Sequence, residues 1–180
     1  MMLDLSSEVV LPPDLKPPQL GGSSLECALL TGATGYLGAY LLAELLRRTT
    51  ASVVCLVRAS SPAQGQERIR TNLDTYGLEV NWQRVRVLPG ALEEPWLGLA
   101  PELYQQLSDE VDTIYHAAAN VSFLPTYEKL KGVNVDGLLA MLRLAACGRA
   151  KSIHHVSTYS VFNAADYNGH PTVYEEPLRG

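Results

Sequence analysis

Hydrophobic residues fall into five short runs along the chain, at residues 25–31, 52–57, 84–88, 111–116 and 152–156. Each run is only a few residues long and is rich in Val, Leu and Ile, a pattern typical of buried β-strands. The third run, RVRVL, alternates polar and apolar positions, which favours a place nearer the edge of a sheet. The sequence therefore predicts five strands.

Segments with helical spacing separate these runs. Residues 37–48 (LGAYLLAELLRR) predict a helix that ends in two arginines, where the helix dipole favours positive charge. Residues 63–76 predict a second helix that stops at Gly77. Residues 93–108 predict a loop and a short helix, and residues 127–147 contain a longer one.

Strand and helix alternate along the chain without an internal repeat. This alternation predicts the α/β class, with a parallel sheet and right-handed crossovers. We expect the N-terminal portion of a Rossmann-type doubly wound sheet, with strand order 3-2-1-4-5 and a ligand where the order reverses. The domain covers residues 25–180. Residues 1–24 predict a linker, because their prolines disfavour helix and glycines and serines follow.

A glycine-rich turn, TGATGYLG, joins the first strand to the first helix. Gly32 allows the sharp turn, Gly35 leaves room for a phosphate, and Gly38 lets the helix lie close to the strand. Free N–H groups at the start of the helix favour a pyrophosphate there. The predicted cofactor-binding residues of the turn are Thr31, Gly32, Thr34, Gly35, Tyr36, Leu37 and Gly38.

The end of the second strand indicates which dinucleotide binds. An NAD site usually has a carboxylate there, which accepts a hydrogen bond from the ribose 2′-OH. This strand ends in Leu56-Val57-Arg58, without a carboxylate. A guanidinium binds phosphate through two parallel hydrogen bonds, so Arg58 favours NADP(H) over NAD(H). Arg68, on the next helix, is placed to reach the same 2′-phosphate.

Composition excludes several other classes of protein. The net charge of −5 over 180 residues offers no electrostatic reason to expect a nucleic-acid partner. No apolar run is long enough to span a membrane, and no secretion signal is apparent. Cys27, Cys55 and Cys147 predict buried thiols in a reducing compartment, so we expect a cytoplasmic protein. No metal site is expected, because the histidines lack companion ligands.

The spacing of the turn resembles that of the extended short-chain dehydrogenase/reductase superfamily. From Leu3 onward the chain resembles a thioester reductase domain, the terminal domain of nonribosomal peptide synthetases, polyketide hybrids and carboxylic acid reductases. The stretches that carry the resemblance are VVLPPDLKP, TGATGYLGAYLLAELL, VVCLVRASS, RIRTNLDTYGL, PWLGL, VDTIYHAAANVSFLPTYEKLKGVNVDGLLAMLRLA and HHVSTYSVF.

The resemblance implies NADPH-dependent reduction of an acyl thioester to an aldehyde, in some relatives followed by reduction to an alcohol. The implied partner is an acyl group on a phosphopantetheinyl carrier protein or CoA, with a covalently linked upstream carrier domain as one arrangement. Thr158 matches the catalytic Ser/Thr, whose hydroxyl stabilises the oxyanion. Asn134 matches an Asn that tethers its helix to loops. Ala91 and Leu92 fall beside adenine, and Ala117, Ala118 and Ala119 beside the ribose and nicotinamide.

The sequence departs from the family's pattern in three places. Relatives carry Gly-Asp after the third strand, where this chain has Gly90-Ala91-Leu92, and Ser122 replaces a common Asn. The catalytic Tyr-x-x-x-Lys, which lies downstream of Thr158 in relatives, is missing. Tyr127 and Lys131 have this spacing but precede Thr158, so we do not expect them to be the catalytic pair. We therefore expect a domain truncated before that pair and the substrate region, and inactive alone.

Two further functions remain open from the sequence. The missing pair is compatible with a non-catalytic NADP(H)-binding sensor or interaction module. A fatty acyl-CoA reductase or another extended short-chain reductase shares the glycine turn, but it matches less well at the YGL and LGL stretches.

Overall fold

Five parallel strands form one sheet in the order β3-β2-β1-β4-β5, as the alternation of strand and helix predicts. The structure is a computed structural model and describes residues 10–13, 15, 25–122 and 124–158. The strands are β1 Cys27–Thr31, β2 Ser52–Val57, β3 Val85–Pro89, β4 Thr113–His116 and β5 Ser152–His155. The alternating strand β3 lies at an edge, and the chain order reverses between β1 and β4.

The helices cover both faces of the sheet. They are α1 Tyr36–Arg48, α2 Pro62–Thr75, α3 Pro101–Glu110, α4 Tyr127–Lys131 and α5 Gly137–Ala146. Because side chains alternate along a strand, β1 contributes Ala28 and Leu30 to one core and Cys27 and Leu29 to the other. The first core includes α1 and α2, and the second includes α3 and α5. The described part of the chain is therefore a doubly wound α/β domain.

The predicted long helix over 127–147 is present but is not uniform. A π-helical turn, Gly132–Asp136, joins α4 to α5 without a break. A π-turn inserts one extra residue into the helical repeat and so rotates the side chains that precede it. The second helix ends where Gly77 predicts, since Gly77 has a left-handed φ of 63°.

Three predicted strands begin later than the apolar pattern indicates, β1 at Cys27, β3 at Val85 and β4 at Thr113. Arg84 belongs to a 3₁₀ turn before β3. Its guanidinium donates to the backbone oxygens of Leu46, in the last turn of α1, and of Thr49 and Ala51, which follow α1. Asp112 precedes β4, and its Oδ2 accepts the N–H groups of Glu26 and Cys27 at 2.9 Å. These two polar side chains thus pair with backbone groups in the segment before β2 and at the start of β1.

The loop after β3 contains a left-handed turn. Trp96, Leu97 and Gly98 have φ values of 53°, 63° and 70°. For non-glycine residues this conformation costs about 1–2 kcal/mol each. Burial of the Leu97 side chain, worth about 2 kcal/mol, offsets part of that cost. The Leu97 carbonyl also accepts the Ala91 N–H at 2.9 Å, which closes the loop against the end of β3.

The prediction that all three cysteines are buried is wrong for Cys147, which is exposed. Cys147 follows the last turn of α5, where the chain leaves the core for the surface turn at Gly148. Cys27 and Cys55 are buried, and burial raises the pKa of the Cys55 thiol to about 12. Most of the predicted linker, residues 1–24, lies outside the described residues and stays a prediction.

Lys151 holds the ends of two helices together. Its side chain is buried, and Nζ donates to the backbone oxygens of Ser108, Cys147 and Arg149, each at 2.6 Å. Burial lowers its pKa to about 8, so at neutral pH it remains an ammonium with three donors.

We expect Lys151→Met to lower the free energy of unfolding by about 3 kcal/mol, because three carbonyl oxygens lose their donor in a buried place. Urea denaturation with fluorescence detection would measure the change. Lys129→Met is the matched control, since Lys129 is exposed and should tolerate the same replacement. Equal stability of the two variants would contradict this role of Lys151.

Candidate functional site

A cavity opens at the carboxyl ends of β1, β2 and β4, where the chain order reverses. Its lining combines the glycine turn, the end of β2, the loop after β3 and the loop after β4. The lining residues are Thr31, Gly32, Thr34, Gly35, Leu56, Val57, Arg58, Arg68, Gly90, Leu92, Glu93, Ala117, Ala118, Ala119 and Val133. This is the place where open α/β sheets bind ligands.

The glycines of the turn are required by close backbone contacts. Gly32 has a φ of 82°, and a Cβ there would lie 2.8 Å from the carbonyl carbon of Ala117. A Cβ on Gly38 would lie 1.9 Å from the Gly32 oxygen, so only glycine lets α1 start this close to β1. At Gly35 a Cβ would meet only the Gly32 oxygen, at 3.3 Å. The side of Gly35 that faces the cavity is open.

The N-terminus of α1 faces this open side. Its first helical hydrogen bond runs from the Ala39 N–H to the Gly35 oxygen at 3.1 Å. The N–H groups of Tyr36, Leu37 and Gly38 come before that bond and have no acceptor within the helix. Such N–H groups and the helix dipole attract an anion. The geometry fits the pyrophosphate of a dinucleotide.

Thr31 joins the turn to the loop after β4. Its Oγ1 accepts the Ala118 N–H at 3.2 Å and lies 2.8 Å from Nδ1 of His116. Burial, with a smaller contribution from the neighbouring His155, lowers the pKa of His116 to about 4. His116 is therefore neutral at pH 7, and we assign Nδ1 as the acceptor of the Thr31 hydroxyl proton. These bonds hold the backbone of residues 117–119 against the cavity.

Arg58 and Arg68 lie together at the end of β2. Both line the cavity, and the Arg68 guanidinium donates to the Arg58 backbone oxygen. The second strand ends without a carboxylate, but a carboxylate from another segment lies near Arg58. Glu93, from the loop after β3, has its Oε1 3.7 Å from Nη1 of Arg58. The carboxylate does not come from β2. Glu93 belongs to the loop after β3, which the hydrogen bond from the Ala91 N–H to the Leu97 oxygen closes.

Several predicted site residues lie outside the lining of the cavity. Tyr36 packs against the rings of Tyr40 and Tyr76 at 5.2 and 5.3 Å, and Leu37 is half-exposed. Gly38 contacts the turn, and the Ala91 N–H is taken by Leu97. Thr158 is exposed just beyond β5. Tyr127 and Lys131, which we do not expect to be the catalytic pair, lie at the two ends of α4. The lining residues not predicted from the sequence are Leu56, Val57, Gly90, Glu93 and Val133.

Asn134 tethers its helix to the loop after β4, as the resemblance implies. Its Oδ1 accepts the Asn120 N–H at 2.7 Å, and its Nδ2 donates to the Asn120 oxygen at 3.0 Å. The Asn120 Oδ1 in turn accepts the Ser122 N–H at 3.1 Å. Because Asn134 lies in the π-helical turn, the irregularity of the helix supports this contact.

Neither metal binding nor membrane insertion is indicated by the part of the chain that the structure describes. Within it, no group of three or more His, Cys, Asp or Glu side chains is arranged to hold a metal ion. None of the helices described there is long and apolar enough to cross a bilayer.

The fold and the cavity define a Rossmann-type dinucleotide-binding domain. A family model described as "Male sterility protein", for NAD-binding domains, matches residues 30–179. The chain belongs to this family.

Similar proteins and solved structures narrow the family to reductase domains. It is 41% identical over 179 residues to one of the linear gramicidin synthase polypeptides of Brevibacillus parabrevis, covering 97% of this chain and 4% of that protein. The terminal R domain of the myxalamid PKS-NRPS pathway has a similar structure, with a TM-score of 0.81 and 43% identity over 87% of this chain. A reductase domain of a nonribosomal peptide synthetase from Mycobacterium tuberculosis is also similar in structure, with a TM-score of 0.69 and 36% identity over 89% of this chain.

The chain spans 42% and 38% of those two solved chains. It therefore corresponds to part of such a domain. The resemblance to reductase domains of nonribosomal peptide synthetases is confirmed.

The Thr31–His116 bond predicts an acid dependence of stability. The pKa of His116 lies below its ordinary value of 6.5, so the unfolded chain binds this proton more tightly. The resulting stabilisation is complete above pH 6.5 and is lost as the pH falls toward 4, by up to about 3 kcal/mol. Thermal melts across this range should show a shallower dependence in His116→Asn, whose side-chain oxygen can accept the same hydroxyl proton.

His154→Asn is the matched control for this experiment. His154 is exposed on β5 and takes no part in the Thr31 bond, so its replacement should leave the wild-type slope. A His116→Asn variant with the same slope as wild type would contradict the assignment.

Proposed function

We propose that this chain binds NADP(H) and forms the cofactor-binding part of a thioester reductase. The observation that carries this proposal is one cavity lined by the glycine turn, Arg58 and Arg68. The proposed substrate is an acyl group on a phosphopantetheinyl carrier protein or CoA, and the product is an aldehyde or, after a second reduction, an alcohol. Similarity to reductase domains of peptide synthetases supports the substrate class. The free cysteines support a cytoplasmic location.

The residues around the cavity fit the parts of the cofactor. The turn and the first N–H groups of α1 would hold the pyrophosphate, and the arginines at the end of β2 would hold the 2′-phosphate. The backbone of residues 117–119, held by Thr31, would border the nicotinamide. Bound NADPH supplies the hydride for the thioester carbonyl carbon.

Thr158 is the residue of this chain that we propose for the chemical step. It follows β5, whose end is bound to β4 through the Val156 N–H and the His116 oxygen at 2.9 Å. Thr158 therefore lies at the same edge of the sheet as the cavity, beyond the loop of residues 117–119. A hydroxyl there would donate to the oxyanion that forms when the thioester carbonyl is reduced.

The cofactor preference is set by opposite charges around the ribose. Arg58 and Arg68 favour a 2′-phosphate, whereas the Glu93 carboxylate opposes it. Because Nη1 of Arg58 already lies 3.7 Å from Glu93, a bound phosphate would compete with this carboxylate for the guanidinium. We therefore propose a preference for NADPH that Glu93 limits.

Arg58→Ala should weaken NADPH binding about tenfold, because a charge-assisted hydrogen-bonding group is lost, and should leave NADH binding nearly unchanged. Glu93→Gln should act in the opposite direction and strengthen NADPH binding about fivefold, since one unfavourable charge is removed. Calorimetric titration of each variant with both cofactors would measure the effects. Equal wild-type affinity for NADPH and NADH would refute the Arg58 assignment.

Thr158→Val should lower the rate of thioester reduction by about 10²-fold in the full-length protein, because the oxyanion loses a donor. Affinity for NADPH should stay unchanged, since Thr158 does not line the cavity. The assay follows the loss of NADPH absorbance in the presence of an acyl pantetheine thioester. A full rate in this variant would argue against the role of Thr158, and wild-type protein that binds NADPH without reducing any thioester would favour a sensor.

A further inference from the structure

Asn72 on α2 contacts the backbone of the glycine turn. Its Nδ2 donates to the Ala33 oxygen at 3.2 Å and to the Gly35 oxygen at 3.0 Å. The residues are 39 and 37 positions apart in sequence, so the contact joins two separate elements. An amide nitrogen carries two hydrogens, and here each is directed at a different carbonyl.

These two carbonyls belong to the peptide units that present N–H groups to the ligand. In a trans peptide the C=O and N–H point in opposite directions. The Ala33 oxygen shares its peptide with the Thr34 N–H, and the Gly35 oxygen shares its peptide with the Tyr36 N–H. When Asn72 draws both oxygens toward α2, both N–H groups are directed away from α2.

The cavity meets the turn at Thr34 and Gly35, whereas Asn72 is not among its lining residues in the described part of the chain. Gly35 is the N-cap of α1 and has no side chain to form a capping bond. Its oxygen also accepts the Ala39 N–H at 3.1 Å, which is the first bond of α1. Asn72 adds a second donor to that oxygen and a donor to the Ala33 oxygen, and both bonds come from outside the turn and restrict the rotation of these peptides.

We propose that Asn72 is a positioning residue of the dinucleotide site, which orients the Thr34 and Tyr36 amides toward the pyrophosphate before the cofactor binds. The inference rests on the proposed NADP(H) function. It assigns to α2 a second contribution, because Arg68 lies one helical turn before Asn72 and reaches the 2′-phosphate corner. One helix thus arranges both phosphate subsites, one directly and the other through the backbone of the turn.

The test compares a ligand that needs the turn with one that does not. NADPH contains the pyrophosphate, whereas adenosine 2′-monophosphate contains only the adenosine and the 2′-phosphate. In the full-length protein, Asn72→Ala should weaken NADPH binding about tenfold, because the amides must then be ordered by the ligand itself. Binding of adenosine 2′-monophosphate, followed by NMR titration, should change less than twofold.

Two further variants make the result specific. Asn72→Asp has the same shape but places carboxylate oxygens opposite the two carbonyls, so the loss of NADPH affinity should exceed that of Asn72→Ala. Asn81→Ala is the matched control, since Asn81 accepts a backbone N–H from Gln83 in a turn away from the site. Its affinity for NADPH should equal that of wild type.

Unchanged NADPH affinity in both Asn72 variants, with wild-type protein binding NADPH, would overturn this inference alone. An equal loss of affinity for both ligands, together with a lower melting temperature, would also overturn it, because Asn72 would then only support the fold. Wild-type protein that binds neither NADPH nor NADH would overturn the proposed function, and this inference with it.

Discussion

The site depends on one close approach between two backbone segments. The Gly32 carbonyl lies where a Cβ on residue 38 would have to be, 1.9 Å away, and no rotation of a side chain could relieve that overlap. The absence of that atom lets α1 begin directly behind β1. Gly32 in turn lies against the backbone of residue 117 at the end of β4. The start of one helix and the ends of two strands are thereby held together at the edge where the chain order reverses.

The two ends of the cavity differ in charge. Beside β2 and β3 the cavity is charged, because two arginines and one glutamate line it there. Beside β4 it is formed by backbone, which is held by the Thr31 hydroxyl and a neutral, buried His116. The cofactor that we propose, NADPH, would place its 2′-phosphate at the charged end and its uncharged reduced ring at the other. The charged end is exposed, so its effect on binding is smaller than buried charges would produce.

Local patterns were sufficient for the elements of the fold. Runs of apolar residues located the five strands of the described residues, and the strand order expected for a doubly wound sheet matches the observed one. Errors occurred where a contact from a distant segment overrides the local pattern. Arg84 and Asp112 read as strand residues, but their side chains satisfy backbone groups of neighbouring elements. Cys147 reads as buried because its neighbours are apolar, although α5 ends just before it.

The sequence by itself determined the five described strands, the glycine turn and the two arginines that line the cavity. Each of these follows from residue type and spacing over a few positions, because glycine geometry and hydrophobic periodicity act locally. Only the tertiary structure decided which other groups meet them. Glu93 reaches Arg58 from the loop after β3, and Asn72 reaches the turn from α2. Such pairings depend on how separate elements pack. The distance between the paired residues cannot be read from their charge or from their spacing along the chain.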